Sequence, residues 1–428
     1  MKKKVTKLLV PSMAALIALA AAGCGENAEV ESSLEKAITE RPVIVRFHTD
    51  SPSKLRKRLQ LAGHDVSGSS KRLGFVDVVS RPDELDSLAA RAKGRYESFE
   101  RLAIPKVDAR YTDTQEMSDF VDSVVAAHPD IAARVTLVDA SSMFECHELY
   151  AVKISDNVSV DENEPAFLFE CQLHAREVMT GEVCKDAIDF LTSNYGTDPQ
   201  VTSWVDNAEI WIIPQANPDG VAYVFSGNDW WRTNRHKSCG CTETCTVCGV
   251  DQNRNFEWNW RQCPGYGTSC GDETYSGDSA ASEPETQAIK GLMERVRPLY
   301  YIDYHSYGEY IVWPSACGRV DEHDLLRIAA ELLNHSVETD DGQTGHWTIG
   351  NTVDVMYSAP GGSDDHAYGA AGAMAYTIEL NSTGFHPDYA QWRDVTVQRQ
   401  RAAWGLLLDR TINGPSIRGR VLDADTLQ

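Results

Sequence analysis

Short apolar runs and helical spacings alternate in the first part of the chain that has a regular pattern. The apolar runs predict strands at 43–47, 73–79 and 96–102. The spacings between them predict helices that begin at Ser51 and Pro82. Strands and helices in this proportion predict a small α+β open sandwich, which we place at residues 42–105.

A longer alternation of the same two patterns fills residues 107–413. Its first helix begins at Thr114, which we predict to be the N-cap residue. Buried-type apolar runs predict strands at 166–169, 210–214, 299–304 and 375–380. Helical spacings predict helices at 181–195, 283–296 and 394–410. This alternation predicts an α/β domain with a central sheet flanked by helices.

Residues 1–23 have the pattern of an export signal. Lysines precede an apolar stretch at 8–22, which is too short to span a membrane stably. Small residues then lead to Cys24, as in the cleavage box of bacterial lipoproteins, so Cys24 is a candidate for a lipid anchor. Ordinary cleavage nearby is the alternative. Either interpretation predicts an exported protein, in the bacterial cell envelope or outside the cell.

Polar sequence flanks the two predicted domains. Residues 24–41 have no apolar period and are predicted to be a flexible tether. Residues 414–428 resemble the first strand of a truncated β-sandwich.

The composition limits the partners that we expect. The chain has 63 acidic and 40 basic residues, and its formal net charge is −23. Nucleic acid and anionic membrane surfaces would repel such a chain, so we expect no nucleic acid, and a membrane only through the anchor. We expect a monomer.

Eleven cysteines fit an oxidising compartment, because an even number remains for disulfides if Cys24 carries lipid. Six crowd into one segment: Cys239, Cys241, Cys245, Cys248, Cys263 and Cys270. Cys245 and Cys248 have zinc-ribbon spacing, so a structural zinc competes there with disulfides. The sequence does not fix the connectivity of this segment, nor that of Cys146 and Cys317.

Three side chains are candidate ligands of a catalytic metal. His174 and Glu177 follow one predicted strand at a spacing that lets both face one point, and His305 follows another. Zinc accepts imidazole nitrogen and carboxylate oxygen, and a catalytic site keeps one position for water. Each signal alone is weak, because His-x-x-Glu occurs by chance and a histidine at a strand end is often structural.

Further blocks occur in the order found in zinc metallocarboxypeptidases of the carboxypeptidase A and B type. They are His174-Ala-Arg-Glu177, Trp231-Arg232, 249–255, His305-Ser306-Tyr307, Tyr357, 361–364 and 377–380. Over residues 107–412 the chain therefore resembles that family. The resemblance implies its α/β fold with a mixed central sheet, one Zn²⁺ per chain, and removal of single residues from peptide and protein C-termini.

The resemblance also implies roles beside the metal. Asp251 would hold the other ring nitrogen of His174, although alone it is a plain loop residue. Glu379 would be the general base, although strand alternation alone makes it an exposed charge. Arg232 would stabilise the oxyanion of the tetrahedral intermediate.

Substrate-binding residues follow from the same resemblance. Arg254 with Asn253 would clamp the C-terminal carboxylate, since a guanidinium fork matches that group. Tyr357 would close over it, and Arg176 and Tyr307 would line subsites. Tyrosines at such positions are otherwise packing residues.

Asp364 carries the specificity hypothesis. The segment 361–365 resembles the carboxypeptidase B version, whose buried acid pairs with a substrate lysine or arginine. A preference for basic C-terminal residues is therefore expected. His366 stands where that relative has tryptophan, and Asp364 alone is explained equally well as a loop cap.

Two further features are assigned by resemblance. Cys171 and Cys184 flank the His-x-x-Glu loop as a disulfide does in carboxypeptidase B, with two buried thiols as the alternative. The unit at 42–105 weakly resembles the family's inhibitory prosegment, with a permanent accessory domain as the alternative. Basic residues offer processing points at Arg101, Lys106 and Arg110.

Two other functions remain open at this point. One is a cell-wall peptidase of the same fold that cuts murein peptides, against which an acidic specificity pocket argues mildly. The other is a catalytically silent surface protein that binds peptides, against which an intact Glu379 and Arg232 argue.

Overall fold

The computed structural model describes residues 43–62, 64–80, 84–102, 106–236 and 249–414. Several predictions lie outside the described residues: the export signal, Cys24, the tether, the cysteines from 239 to 248 and nearly all of the tail.

The N-terminal unit is a four-stranded antiparallel sheet that packs against two helices. Its strands are β1 Val43–His48, β2 Asp65–Ser70, β3 Phe75–Ser80 and β4 Ser98–Leu102, in the order β2-β3-β1-β4. Its helices are α1 Pro52–Leu61 and α2 Leu85–Ala92. Phe47 and Val76 of the sheet pack with Leu59 and Leu88 of the helices in one apolar core.

The sequence analysis missed β2. The strand has one apolar side chain, Val66, so an alternating pattern gives no signal. It forms by pairing with β3, where Ser69 lies opposite Val76 and Ser70 opposite Phe75. Tertiary pairing outweighs a weak local preference here.

Residues 106–236 and 249–414 form an eight-stranded mixed sheet with helices on both faces. The strands are β5 Ala132–Val138, β6 Leu149–Ile154, β7 Ala166–Cys171, β8 Glu209–Ile213, β9 Tyr300–Ser306, β10 Tyr310–Trp313, β11 Thr348–Asn351 and β12 Met374–Leu380. Their order is β11-β10-β12-β9-β7-β8-β6-β5, and the central neighbours β12, β9, β7 and β8 run parallel. This confirms the predicted mixed central sheet.

Consecutive residues of the central strands point to opposite faces of the sheet and pack in two separate hydrophobic cores. The helices are α3 Thr114–Ala127, α4 Val178–Asn194, α5 Pro199–Val205, α6 Pro218–Phe225, α7 Pro284–Val296, α8 His323–Ser336, α9 Thr352–Val355, α10 Ser363–Gly369 and α11 Tyr389–Asn413. Phe169 of β7 stacks on Trp404 of α11 on one face. Its neighbour Leu168 packs with Leu292 of α7 on the other. Burial on both faces explains why the central strands are apolar throughout.

The predicted N-cap of α3 was wrong by one residue. Asp113 is the cap, because its side chain accepts a hydrogen bond from Glu116 N while the Glu116 side chain accepts one from Asp113 N. Thr114 is the first helical residue, and its hydroxyl donates to Pro218 O instead. A shorter, charged acceptor in a capping box is the better cap at a helix N-terminus.

Two disulfides lie in the described residues. Cys171 at the end of β7 is bonded to Cys184 of α4, and Cys263 is bonded to Cys317. The second bond joins two cysteines whose partners the sequence left open. Within the described ranges, none of the helices combines the length and apolar character that crossing a membrane requires.

Candidate metal centre

Adjacent parallel strands bring the three predicted ligands together. A short turn after β7 carries His174 and Glu177 to the start of α4. Strand β9 lies beside β7 in parallel and carries His305 near its own carboxyl end. Because parallel neighbours end at the same edge of a sheet, the side chains meet although 128 residues separate Glu177 from His305.

The ligand atoms form a compact buried cluster. Glu177 Oε1 lies 2.8 Å from His174 Nδ1, and Glu177 Oε2 lies 2.9 Å from His305 Nδ1. One donor atom of each residue lies within 4.8 Å of the others, and all three residues are buried. Two imidazole nitrogens and a carboxylate are the donor set of a catalytic zinc, so these residues fit the ion.

Glu177 is held in its charged form. Burial by itself would raise the pKa of this carboxyl, but His174 and His305 hold the pKa below its usual range. Ser306 N also donates to Glu177 Oε2 at 3.1 Å. An ionised, oriented carboxylate is the form that binds a metal.

Asp251 and Arg232 lie against His174. Asp251 Oδ1 is 3.2 Å from His174 Nε2, and Asp251 Oδ2 accepts a hydrogen bond from Arg232 Nη2 at 2.8 Å. Burial opposes ionisation of Asp251, but Arg232 and Arg254 keep its pKa well below the usual value. Arg232 Nη1 lies 3.2 Å from His174 Nδ1, so its guanidinium reaches the edge of the ligand cluster.

Glu379 approaches the centre from β12. Its register places it opposite His305 on β9 and opposite Tyr310 on β10. The residue is partly buried, and burial together with the Glu177 charge raises its pKa to about 7, against the charges of His305 and Arg232. A metal dication would lower that pKa, which favours a carboxylate that can accept a proton.

A small cavity of about 30 Å³ opens beside the centre. Seven predicted site residues line it: His174, Asn253, Arg254, His305, Tyr357, Asp364 and Glu379. Thr377, Val312 and Met356 complete its wall away from the ligands. The structure thus places a buried acid, Asp364, in the same cavity as the metal ligands.

Comparison with known proteins decides the family. A family model described as Zinc carboxypeptidase matches residues 117–399, which is more than half of the chain. This chain belongs to the zinc carboxypeptidase family. Human carboxypeptidase B2 is 30% identical over 313 residues, which cover 72% of this chain and 69% of that protein. A zinc carboxypeptidase of Saccharothrix mutabilis subsp. capreolus is 28% identical over 413 residues, which cover 87% of this chain and 90% of that protein.

Solved structures have the same fold. Carboxypeptidase A from Helicoverpa armigera superposes with a TM-score of 0.73 at 23% identity and covers 88% of this chain and 98% of its own. Thrombin-activatable fibrinolysis inhibitor gives a TM-score of 0.70 at 22% identity, over 88% of this chain and 100% of its own. The family match shows the activity: the enzyme is a metallocarboxypeptidase, a hydrolase of peptide bonds whose cofactor is zinc, as predicted.

Two predicted substrate-binding residues of this carboxypeptidase lie outside the cavity lining. Arg176 is buried, and its Nη1 donates to Glu273 Oε2 at 3.0 Å while its guanidinium lies 4.9 Å from the Trp230 ring. Tyr307 is buried against the N-terminal unit, where its hydroxyl donates to Asp77 Oδ2 at 2.6 Å. Their subsite roles stay predictions.

The residues predicted to bind the substrate carboxylate, Arg254, Asn253 and Tyr357, make contacts within the protein. Arg254 donates from Nε to Gly265 O at 2.8 Å and from Nη1 to Asn253 O at 2.6 Å. Asn253 Nδ2 lies 3.0 Å from His305 Nε2. Tyr357 has its ring 5.6 Å from the Arg254 guanidinium carbon. The three residues adjoin one another at the cavity, and their part in binding stays a prediction.

Sequence reasoning missed several residues at the site. Asp303 lies 2.7 Å from His305 Nε2, and a strand period of two on β9 would have placed both on one face. Arg56, Ser69 and Asp77 of the N-terminal unit also reach the rim of the site. No sequence signal indicates these three, because they act across a domain interface.

Proposed function

We propose that this zinc carboxypeptidase is an exopeptidase that removes single C-terminal residues and prefers lysine and arginine. One observation carries the specificity: Asp364 Oδ2 is buried and, although the Thr377 side chain beside the carboxyl favours its charged form, makes no hydrogen bond of normal geometry among the described residues. Asp364 lines the cavity that also contains the predicted ligands and Glu379. An unpaired buried carboxylate oxygen is costly, and a basic substrate side chain would supply its partner.

The proposed chemistry assigns the metal to His174, Glu177 and His305. When bound there, Zn²⁺ lowers the pKa of water and polarises the scissile carbonyl. Glu379 then accepts the proton of the attacking water and delivers it to the leaving amine. Its position opposite His305 in the sheet supports that role.

Arg232 is proposed to stabilise the oxyanion. Its Nε and Nη2 bind Asp251 Oδ2, which fixes the guanidinium, and its Nη1 is 3.2 Å from the metal-facing nitrogen of His174. A fixed cation at this point needs no reorganisation when negative charge develops.

Arg254, Asn253 and Tyr357 are proposed to hold the substrate carboxylate. All three line the cavity, and Arg254 carries a guanidinium that is only 2% exposed. Its hydrogen bonds to two backbone carbonyls fix the fork, and Asp251 Oδ2, 3.8 Å from Arg254 Nη1, balances part of its charge. A desolvated cation of fixed orientation suits a terminal carboxylate.

The N-terminal unit is proposed to be an inhibitory prosegment. Ser69 Oγ lies 2.8 Å from Tyr310 Oη, and Tyr310 is the cross-strand neighbour of Glu379. Arg56 donates to Ser69 Oγ at 2.7 Å, and its guanidinium carbon lies 4.6 Å from the Tyr357 ring. These contacts support the proposal, because they join the unit to the cross-strand neighbour of the predicted base and to the predicted closing tyrosine.

A second set of contacts fixes the unit at the rim. Asp77 accepts from Tyr307 Oη at 2.6 Å, and Arg72 Nη2 donates to Glu309 Oε2 at 2.6 Å. Asp77 is fully buried and also pairs with Arg46. Buried charged contacts across an interface oppose its opening until the chain is cut.

Export is proposed on the leader pattern at residues 1–23, with a lipid anchor at Cys24. The two disulfides in the described residues agree with an oxidising compartment.

The test is an assay of the purified chain on hippuryl-Arg and hippuryl-Phe, with and without a chelator and limited proteolysis. We expect release of free arginine faster than phenylalanine, loss of both with chelator, and a gain after proteolysis. Release that survives complete removal of metal would contradict the zinc mechanism, and faster release of phenylalanine would contradict the specificity.

A further inference from the structure

His305 has a carboxylate partner on the side of its ring that faces away from Glu177. Asp303 Oδ2 lies 2.7 Å from His305 Nε2, whereas Glu177 Oε2 lies 2.9 Å from Nδ1. Asp303 is completely buried. Because Nδ1 must be unprotonated to bind a metal, the proton of the neutral ring belongs on Nε2, where it donates to Asp303.

The geometry of β9 fixes this pairing. Asp303 and His305 are two residues apart on one strand, so their side chains project from the same face. In the sheet register His305 lies opposite Glu379, and Asp303 lies opposite Thr377 on one side and Glu170 on the other. One cross-strand row therefore carries the predicted ligand and base, and the row next to it carries Asp303.

Asp303 is itself held in place. Ser363 Oγ donates to Asp303 Oδ2, and Ser363 N donates to Asn253 Oδ1 at 2.9 Å. Asn253 Nδ2 lies 3.0 Å from His305 Nε2, and because it is itself an N–H donor, the hydrogen bond of a protonated Nε2 goes to Asp303, at 2.7 Å, and not to Asn253. These side chains enclose the outward nitrogen of the imidazole, which restricts rotation of the ring.

We propose that Asp303 is a positioning residue for the metal centre: its carboxylate fixes the tautomer and the orientation of His305. This rests on the proposed ligand role of His305. His174 has Asp251 in the equivalent position, at 3.2 Å from its Nε2. Each imidazole ligand then has its own carboxylate behind it. Partners of this kind typically contribute about 10–100-fold in metal affinity.

The experiment compares zinc binding by three variants of the full chain. They are Asp303→Ala, Asp303→Asn and, as a matched control, Glu170→Gln. Glu170 is also fully buried and lies opposite Asp303 in the sheet, and its side chain accepts from Tyr301 Oη rather than from an imidazole. The Zn²⁺ dissociation constant is measured by competition with a chromophoric chelator, with zinc as the only ligand.

Asp303→Ala should raise the zinc dissociation constant by about 10–100-fold. Asp303→Asn should raise it less, because the amide oxygen still accepts from Nε2 but without charge assistance. Glu170→Gln should leave it within about threefold of the parent value. Unchanged zinc affinity in both Asp303 variants would overturn the proposal, as would equal weakening in the Glu170 control.

Two further measurements separate this role from a merely structural one. The absorption bands of the Co²⁺-substituted protein report the ligand field, and they should shift in Asp303→Asn but not in Glu170→Gln. If Asp303→Ala does not fold, Asp303→Asn decides the outcome alone. A parent chain that binds no zinc, or binds it equally after His305→Ala, would instead refute the ligand assignment itself.

Discussion

Replacing Asp364 by asparagine tests the specificity pocket. The side chain is 5% exposed, and its Oδ1 already accepts a hydrogen bond from Asp365 N. Its Oδ2 makes no hydrogen bond of normal geometry among the described residues, although the Thr377 side chain beside the carboxyl favours its charged form, so a substrate guanidinium or ammonium group would be its first charged partner. Asparagine keeps the shape of the side chain and removes its charge.

The expected effect of Asp364→Asn on kcat/KM follows from the burial of the Asp364 carboxyl. Removing one partner of a buried charge pair typically costs about 3–5 kcal/mol, and about 1.4 kcal/mol is tenfold in an equilibrium or rate constant. Asparagine retains an oxygen that can accept a hydrogen bond from the substrate, so we expect a cost at the lower end of this range, about 3 kcal/mol. The kcat/KM for C-terminal arginine should fall by about 100-fold, and that for phenylalanine should change by less than about threefold.

The assay measures kcat/KM on paired peptides that differ only in a C-terminal arginine or phenylalanine. Asp365→Asn is the matched control, because Asp365 is equally buried but its carboxylate already accepts from Ala316 N, Ser315 Oγ and Asn259 Nδ2. The control should lose stability and, at about pH 8.5, where Asp364 is ionised in both proteins, keep the ratio of the two rates. An unchanged ratio in Asp364→Asn, or an equal shift in the control, would refute the reasoning.

Three other predictions follow from the site and its surroundings. Glu379→Gln should lower kcat by at least about 100-fold while zinc content stays at the parent level, and loss of zinc with activity would contradict a role as base. Trypsin should cut at the exposed Lys106 or Arg110 and raise kcat/KM at least about tenfold, if the open form of the intact chain is a minor state. The combined substitutions Arg101→Gln, Lys106→Gln and Arg110→Gln should abolish this rise in kcat/KM. A cut that leaves kcat/KM unchanged would favour a permanent accessory domain. Burial and the Asp365 charge raise the pKa of Asp364 to about 7, so the carboxyl takes up a proton as pH falls. The preference for arginine should therefore shrink from about pH 8 to about pH 6, and a constant ratio would contradict the assignment.

The sequence predicted the metal ligands because their positions follow from strand ends. His174 and His305 each lie at or just beyond the carboxyl end of an apolar run, and parallel strands bring such ends together. The order of the motif blocks then supplied the family. The central strands were found for the same reason, since burial on both faces leaves a continuous apolar run.

Three of the strands that the sequence analysis did not predict have little local signal. Strand β2 has one apolar residue, and β10 and β11 have four residues each, too few for a period. Asp303 was missed because a carboxylate inside an apolar strand has no motif of its own. The contacts of Tyr307 with Asp77 depend on the packing of two units, which spacing within one segment cannot predict.

Zinc-edge X-ray absorption on the purified, metal-replete chain would show which side chains bind the zinc. We expect one zinc per chain with nitrogen and oxygen neighbours at about 2.0–2.2 Å and outer-shell scattering from two imidazoles. One imidazole should disappear in His305→Ala. Sulfur neighbours at about 2.3 Å would place the metal among the cysteines instead and would contradict the site built on His174, Glu177 and His305.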